Sequence, residues 1–247
     1  MRPFSIVVAA DLANGIGLKG GLPWRLRKDM AFFAKITSKV FYLDDEDADL
    51  DQDLPRRVNA CIMGRNTWES IPAKFRPLAS RFNVIVSRNP HYLDGKPEKN
   101  NPLVAVATSF EAALELVRSL QAPPPSEYAY EAAAMAAASI LPAPPSFSSD
   151  ASPITPDIEI QRIFLIGGAQ LYEQAVRSKE CSHIFMTRIH STVECDVFFP
   201  EIKESDYTLL PSQESHALLE KYLQEPVEGG LIEEGSFKYE YTVYNRI

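Results

Sequence analysis

Residues 4–10, FSIVVAA, form a near-continuous apolar run, the pattern of a strand covered on both faces. Residues 24–37 change period: Leu26, Met30, Phe33 and Ile36 or Thr37 fall on one helical stripe. A short strand follows at 58–63, and a helix opens behind Gly64 at 66–70. Apolar runs at 82–86 and 103–107 predict two more strands. The segment 109–120 reads as a helix, with Ser109 as N-cap and Ala112, Leu116 and Leu120 in register. A strand at 162–166 runs straight into Gly167 and Gly168, from which a helix extends to about Arg177. Residues 184–189 predict another strand. Residues 237–244, FKYEYTVY, alternate aromatic and polar as a half-buried antiparallel strand does. This alternation predicts an α/β fold: a central, mostly parallel twisted sheet with an antiparallel C-terminal edge strand and helices on both faces.

Two stretches interrupt the pattern. Residues 44–53, DDEDADLDQD, hold seven acids and no base; without them the net charge of -8 falls to about -1. Residues 121–157 are dominated by Ala, Pro and Ser, with an alanine-rich middle that has room for one short helix. Both read as insertions, at about 40–57 and 121–157, in a chain of 247 residues expected to form a single domain. The body is then near neutral and shows no basic stripe, which argues against nucleic acid as a partner. Cys61, Cys181 and Cys195 form no CxxC pair and have no metal-ligand spacing to His, so neither a disulfide framework nor a metal site is expected. No apolar run is long enough to span a bilayer. The expectation is a cytoplasmic protein without membrane or metal.

Glycines and arginines mark the candidate chemistry. The string Gly15-Ile16-Gly17-Leu18-Lys19-Gly20 matches G-x-G-x-x-G, but four residues separate it from the strand and Gly21-Leu22-Pro23 blocks an immediate helix. It reads either as a surface loop or as a mobile flap over a ligand. Gly167-Gly168-Ala169-Gln170 joins strand to helix, which is either a plain tight turn or an anion site built from bare N–H groups. Gly64-Arg65-Asn66-Thr67 and Ser87-Arg88 each place a cation and a hydroxyl just past a strand's end. Together these favour a phosphorylated dinucleotide, with Arg65 or Arg88 suited to a phosphate monoester. Asp29 is the most informative residue. It lies one turn from Leu26 and from Phe33, on the apolar stripe of its helix, where an acid is rarely found without a partner. It either supports the helix dipole and pairs with Arg25 or Lys28, or it is a desolvated carboxylate that holds a nitrogen-rich ring and manages a proton.

A resemblance joins these features. Gly15-Ile16-Gly17, Leu22-Pro23-Trp24 and Asp29 resemble the start of a dihydrofolate reductase. Residues 63–72 (MGRNTWESIP), Arg76-Pro77-Leu78 with Arg81, Ser87-Arg88, Ile166-Gly167-Gly168 with Tyr172, Thr187-Arg188-Ile189, Asp196 and Phe198-Phe199-Pro200 continue it in order. Asn66 and Gly21 depart from the family's usual residues, and the two insertions are similar, loosely, to fungal-type enzymes. The resemblance implies NADPH as cofactor, 7,8-dihydrofolate as substrate, and a monomer. It implies that Asp29 holds the pteridine edge, with Thr187 as its hydrogen-bond partner and Trp24 anchoring a water, and that Phe33 stacks on the substrate. Val8, Met30, Ile71, Leu78, Ile166 and Tyr172 would complete the substrate pocket, and Arg81 would take the glutamate carboxylate. Ala9, Ile16 and the segment from Gly15 through Gly17, Leu18, Lys19, Gly20 and Gly21 would touch the nicotinamide side. Arg65, Asn66, Thr67, Ser87, Arg88 and Asn89 would grip the adenosine phosphates, and Gly167, Gly168, Ala169, Gln170 and Leu171 the pyrophosphate. Cis peptide bonds are expected at Gly167–Gly168 and Arg76–Pro77. A riboflavin-pathway reductase of the same fold and a non-catalytic NADP-binding module remain as alternatives.

Overall fold

The computed structural model describes residues 3–41, 56–121 and 158–247. The bulk of both compositionally biased stretches, and the short helix expected in the second, lies outside the described residues.

Among the described residues, nine strands form the main sheet. The parallel body comprises β1 (Phe4–Asp11), β3 (Arg56–Gly64), β4 (Arg81–Val86), β5 (Val104–Ala107), β6 (Ile158–Leu165) and β7 (Cys181–Ile189). The antiparallel side is built from β9 (Tyr207–Leu209), β10 (Ile232–Glu234) and β11 (Phe237–Arg246). The spatial order is β10-β11-β7-β1-β6-β3-β4-β5, with β9 paired to β11. β11 therefore closes the parallel body as the alternation of residues 237–244 predicts, and two short strands extend the sheet beyond it.

Alternating side chains send the core to both faces of the sheet. Ile6 and Val8 pack with helices α3 (Phe110–Ser119) and α4 (Ala169–Arg177). Val7, between them, faces α1 (Arg27–Ser38) and α5 (Ser212–Leu223). A six-residue helix, α2 (Arg65–Ser70), leaves β3 directly and buries Trp68. Ser109 caps α3 as expected, accepting from the Ala112 N–H at 3.1 Å.

Three features differ from the sequence reading. First, α1 begins at Arg27, so Trp24 lies before the helix. Its buried face is Asp29, Phe32, Ile36 and Thr37, while Met30 is exposed and Phe33 half-buried. The stripe is rotated because Phe32 stacks on Tyr241 of β11, with ring centroids 3.9 Å apart, and that contact sets the face. Second, α5 has only a narrow apolar stripe; Leu219 and Leu223 carry its burial together with Ser215, too little for the periodicity to stand out. Third, the Gly15–Gly21 segment is structured. β2 (Gly15–Gly17) pairs antiparallel with β8 (Val197–Phe198), and Leu18 and Gly21 exchange two backbone hydrogen bonds of 2.9 Å. Lys19 and Gly20 between them both have positive φ, the geometry of a two-residue hairpin turn.

Candidate active site

The C-terminal ends of β1, β3, β4 and β6 open onto one edge of the sheet, where open α/β sheets bind ligands. A group of side chains from α1 and β7 and a set of backbone amides at the starts of α2 and α4 lie along this edge.

The first group centres on Asp29. Because α1 packs by its 29/32/36 face, this carboxylate is carried inward and is only 6% exposed. Thr187, set beside Ala9 on one side and Tyr241 on the other by the strand register, donates from its hydroxyl to Asp29 Oδ1 at 2.6 Å. Burial pushes the Asp29 carboxyl up to about 6; the Thr187 hydrogen bond opposes this, and the negative charge of Glu234 adds to it. Trp24 is buried, and its indole Nε1 has no protein partner among the described residues, so it offers a donor to a small polar group. Val8 and Ile166 are buried, and Ala9, Ile16 and Ile71 are half-buried.

Arg81 begins β4 and is 7% exposed. Its Nη1 donates to the Thr37 hydroxyl at 2.8 Å and its Nε to the Ala79 carbonyl at 2.9 Å. Among the described residues no carboxylate pairs with it. Its guanidinium lies 6.0 Å from the centre of the Phe33 ring. The cis Arg76–Pro77 bond leads into Leu78, which Asn83 pins from both sides, accepting its N–H at 2.9 Å and donating to its carbonyl at 3.0 Å.

The second group is built from backbone. Gly167–Gly168 is cis, and Gly167 has φ +125°. The Gly64 N–H donates to the Gly167 carbonyl at 2.7 Å, which brings the starts of α2 and α4 side by side. Neither helix has a side-chain cap, so their first N–H groups are open to an anion. A Cβ on Gly168 would crowd the Thr67 hydroxyl at 3.2 Å. Arg65, Asn66, Arg88, Asn89 and Gln170 are exposed nearby in the chain, Ala169 and Thr67 are half-buried, and Ser87 is buried with its Oγ accepting from the Asn89 N–H at 3.2 Å. Bare amides flanked by two cations suit a dinucleotide with phosphate groups. Leu171 faces the core, and Tyr172 is buried with its hydroxyl donating to the Val7 carbonyl at 3.0 Å.

Sequence reasoning overlooked three polar residues that shape this edge. Asp11 is fully buried; its Oδ1 accepts from the N–H groups of Ala13 (2.9 Å) and Gly15 (2.7 Å), and its Oδ2 from Val193 (2.9 Å). The Arg188 guanidinium joins in, donating to the Asp11 carbonyl at 2.7 Å and to Asn14 Oδ1 at 3.0 Å. Asp11 thus ties the segment before β2 to the turn after β7, and Asp196 ties the Lys19 N–H at 2.8 Å. Asn83 is the second overlooked residue and Glu234 the third. Asp11 and Asn83 did leave a trace: each is a polar residue in or against an apolar strand run.

A family model described as dihydrofolate reductase matches residues 56–122 and 147–223. The chain is 31% identical over 246 residues to the dihydrofolate reductase of Pneumocystis carinii, covering 99% of this chain and 97% of that one. It is 32% identical over 245 residues to that of Candida albicans, covering 98% and 95%. Among solved structures it is similar to Schistosoma mansoni dihydrofolate reductase, with a TM-score of 0.60, 26% identity and coverage of 99% and 98%. A buried carboxylate on the inward face of α1, uncapped helix starts beside the cis Gly167–Gly168 turn and full-length relatives at this identity agree: the chain belongs to the dihydrofolate reductase family, a family of oxidoreductases.

Proposed function

We propose that this chain reduces 7,8-dihydrofolate to 5,6,7,8-tetrahydrofolate with NADPH. The observation that carries the reading is Asp29, the acid on the inward face of α1 that Thr187 holds at 6% exposure. A carboxylate so placed pairs with the amino and ring N–H edge of a flat pterin, and burial lets it keep a proton up to about pH 6.

The two starting turns of α2 and α4, with Thr67, Ser87, Arg65 and Arg88, would hold the phosphates of NADPH, and Ala9, Ile16 and the β2 segment would face its nicotinamide. NADPH when bound supplies the hydride, which adds to pterin C6. Reduction there leaves N5 in need of a proton. Asp29 raises the protonated fraction of the substrate at N5, through a water that Trp24 Nε1 is placed to hold. Phe33, Met30, Ile71 and Leu78 shape the apolar wall for the substrate's ring and tail. Arg81, which has no protein carboxylate among the described residues, takes the tail's carboxylate through its planar fork. That last point favours a glutamate-bearing pterin over a phosphoribosyl substrate of the riboflavin pathway.

The test is the loss of NADPH absorbance in the presence of dihydrofolate, for the wild type and for Asp29→Asn. The wild type turns over, and Asp29→Asn loses at least about 100-fold in kcat at neutral pH, the scale of a general-acid contribution. NADPH affinity stays within about twofold, because Asp29 lies on a different element from the phosphate edge. A silent wild type that still binds NADPH returns the reading to a non-catalytic module.

A further inference from the structure

Helix α1 starts without a side-chain cap of its own: Leu26 occupies the N-cap position and its side chain closes nothing. A carboxylate from near the other end of the chain does so instead. Glu234, at the end of β10, accepts from the backbone N–H groups of Arg27 at 2.6 Å and Lys28 at 3.1 Å. The Tyr239 hydroxyl donates to its Oε2 at 3.4 Å. Those two amides belong to the helical turn that holds Asp29. The β10–β11 hairpin sets Glu234 opposite Phe237, and further along the same β11 Tyr241 stands beside Thr187, the hydrogen-bond partner of Asp29. One hairpin therefore supports Asp29 from two directions.

We propose that Glu234 is a positioning residue for the reduction: it caps the helix that carries Asp29 and, as a negative charge facing that carboxylate, sets the pH range over which Asp29 keeps its proton. This rests on the dihydrofolate reduction proposed above. The physical argument has two parts of the same sign. The open N–H groups at a helix start favour a nearby anion, and Glu234 occupies two of them, so Asp29 feels less of that field. The charge of Glu234 also repels a second negative charge. Burial draws the Glu234 carboxyl upward, but the Arg27 and Lys28 amides, the Tyr239 hydroxyl and the Lys28 charge together hold it below the usual range. It stays ionised while Asp29 titrates.

Arg25 and Arg27 line the surface beside Glu234, but both are exposed and screened by water; the remaining groups around Asp29 do not take this part either. On α1, Lys28 is paired with Glu228 at 3.0 Å and Lys35 with Glu225 at 2.5 Å. From β11, burial pushes the hydroxyls of Tyr239 and Tyr241 up, so both are neutral. Arg81 and Cys61 lie at the other end of α1, near Thr37.

The test is single-turnover reduction with NADPH over about pH 5 to 9 for the wild type, Glu234→Gln and Glu234→Ala, with Glu233→Gln as control, together with NMR titration of the Asp29 carboxyl in the apo proteins. Glu234→Gln keeps an acceptor for the helix and removes the charge. Its falling limb moves down by about half a pH unit, the size of one partly screened charge, which makes it about threefold slower above the midpoint. The low-pH plateau stays within about twofold. Glu233 pairs with Lys238 on the surface, and its variant leaves the midpoint in place. Unmoved midpoints in both Glu234 variants, by rate and by NMR, would overturn the proposal. A wild type that fails to turn over overturns the functional reading alone, and the NMR titration still decides the part of Glu234.

Discussion

A carboxylate shut away from water, with one hydroxyl for a partner and a second carboxylate facing it, destabilises the folded chain once it ionises. Asp29 has its pKa raised from 3.8 to about 6, chiefly by burial. A raised folded-state value means that the unfolded chain ionises first. The contribution to stability is then full below about pH 4 and is lost as pH climbs to about 6, an amount of order 2–3 kcal/mol. Asp29→Asn removes this dependence. Without ligand it should melt higher than the wild type at pH 7 and equal to it at pH 3.5 or below, by thermal unfolding monitored across pH. Arg81 is the complementary case, a buried cation held by a hydroxyl and a carbonyl. Arg81→Leu should raise KM for dihydrofolate by about 30-fold or more, as loss of a charge-assisted fork does, while the NADPH dissociation constant is unchanged. Both residues were legible in the sequence as chemistry. Asp29 stood on an apolar stripe and Arg81 stood in a matching motif, but the depth of each was not visible, because burial is decided by what packs over a residue.

At the scale of elements, the long strands were legible because a parallel sheet covered by helices demands unbroken apolar runs. The β2–β8 ribbon was not. Its two strands are five residues together, and their pairing depends on Asp11, which gathers amides from before β2 and after β7. A fully buried carboxylate with three N–H donors has no replacement nearby. Asp11→Ala should cost about 2–4 kcal/mol of unfolding free energy, because the buried Gly15 N–H is left without an acceptor and the part-buried Ala13 and Val193 N–H groups lose theirs. If the segment that Asp11 anchors borders the nicotinamide as proposed, the substitution should also lower kcat more than it weakens dihydrofolate binding. Chemical denaturation and steady-state kinetics on one preparation separate the two effects. The rotation of α1 belongs to this scale as well: the sequence stripe turned Met30 and Phe33 inward, whereas stacking on Tyr241 brought Phe32 to the sheet and left Met30 exposed.

For the molecule as a whole, a group of side chains and a set of backbone amides occupy one edge of the sheet on separate supports. The backbone set proposed to hold the NADPH phosphates stands on the starts of α2 and α4, and the carboxylate group on α1 and β7. Ligand linkage should therefore be separable. NADPH at 100 times its dissociation constant should stabilise the wild type and Asp29→Asn by the same amount, about 2.7 kcal/mol, read from thermal melts with and without cofactor. A shift confined to the wild type would mean that the two groups are one cooperative unit. By itself the sequence determined the alternation of strands and helices, the glycine turns and the identity of the acid, because each is a local property of spacing and residue type. Tertiary structure alone decided how deep Asp29 sits, which face α1 turns inward, and that Glu234 and Asp11 reach across about 200 residues of chain to fasten the site. Such contacts join residues that no local pattern relates, and they come into being only when the sheet brings its distant strands side by side.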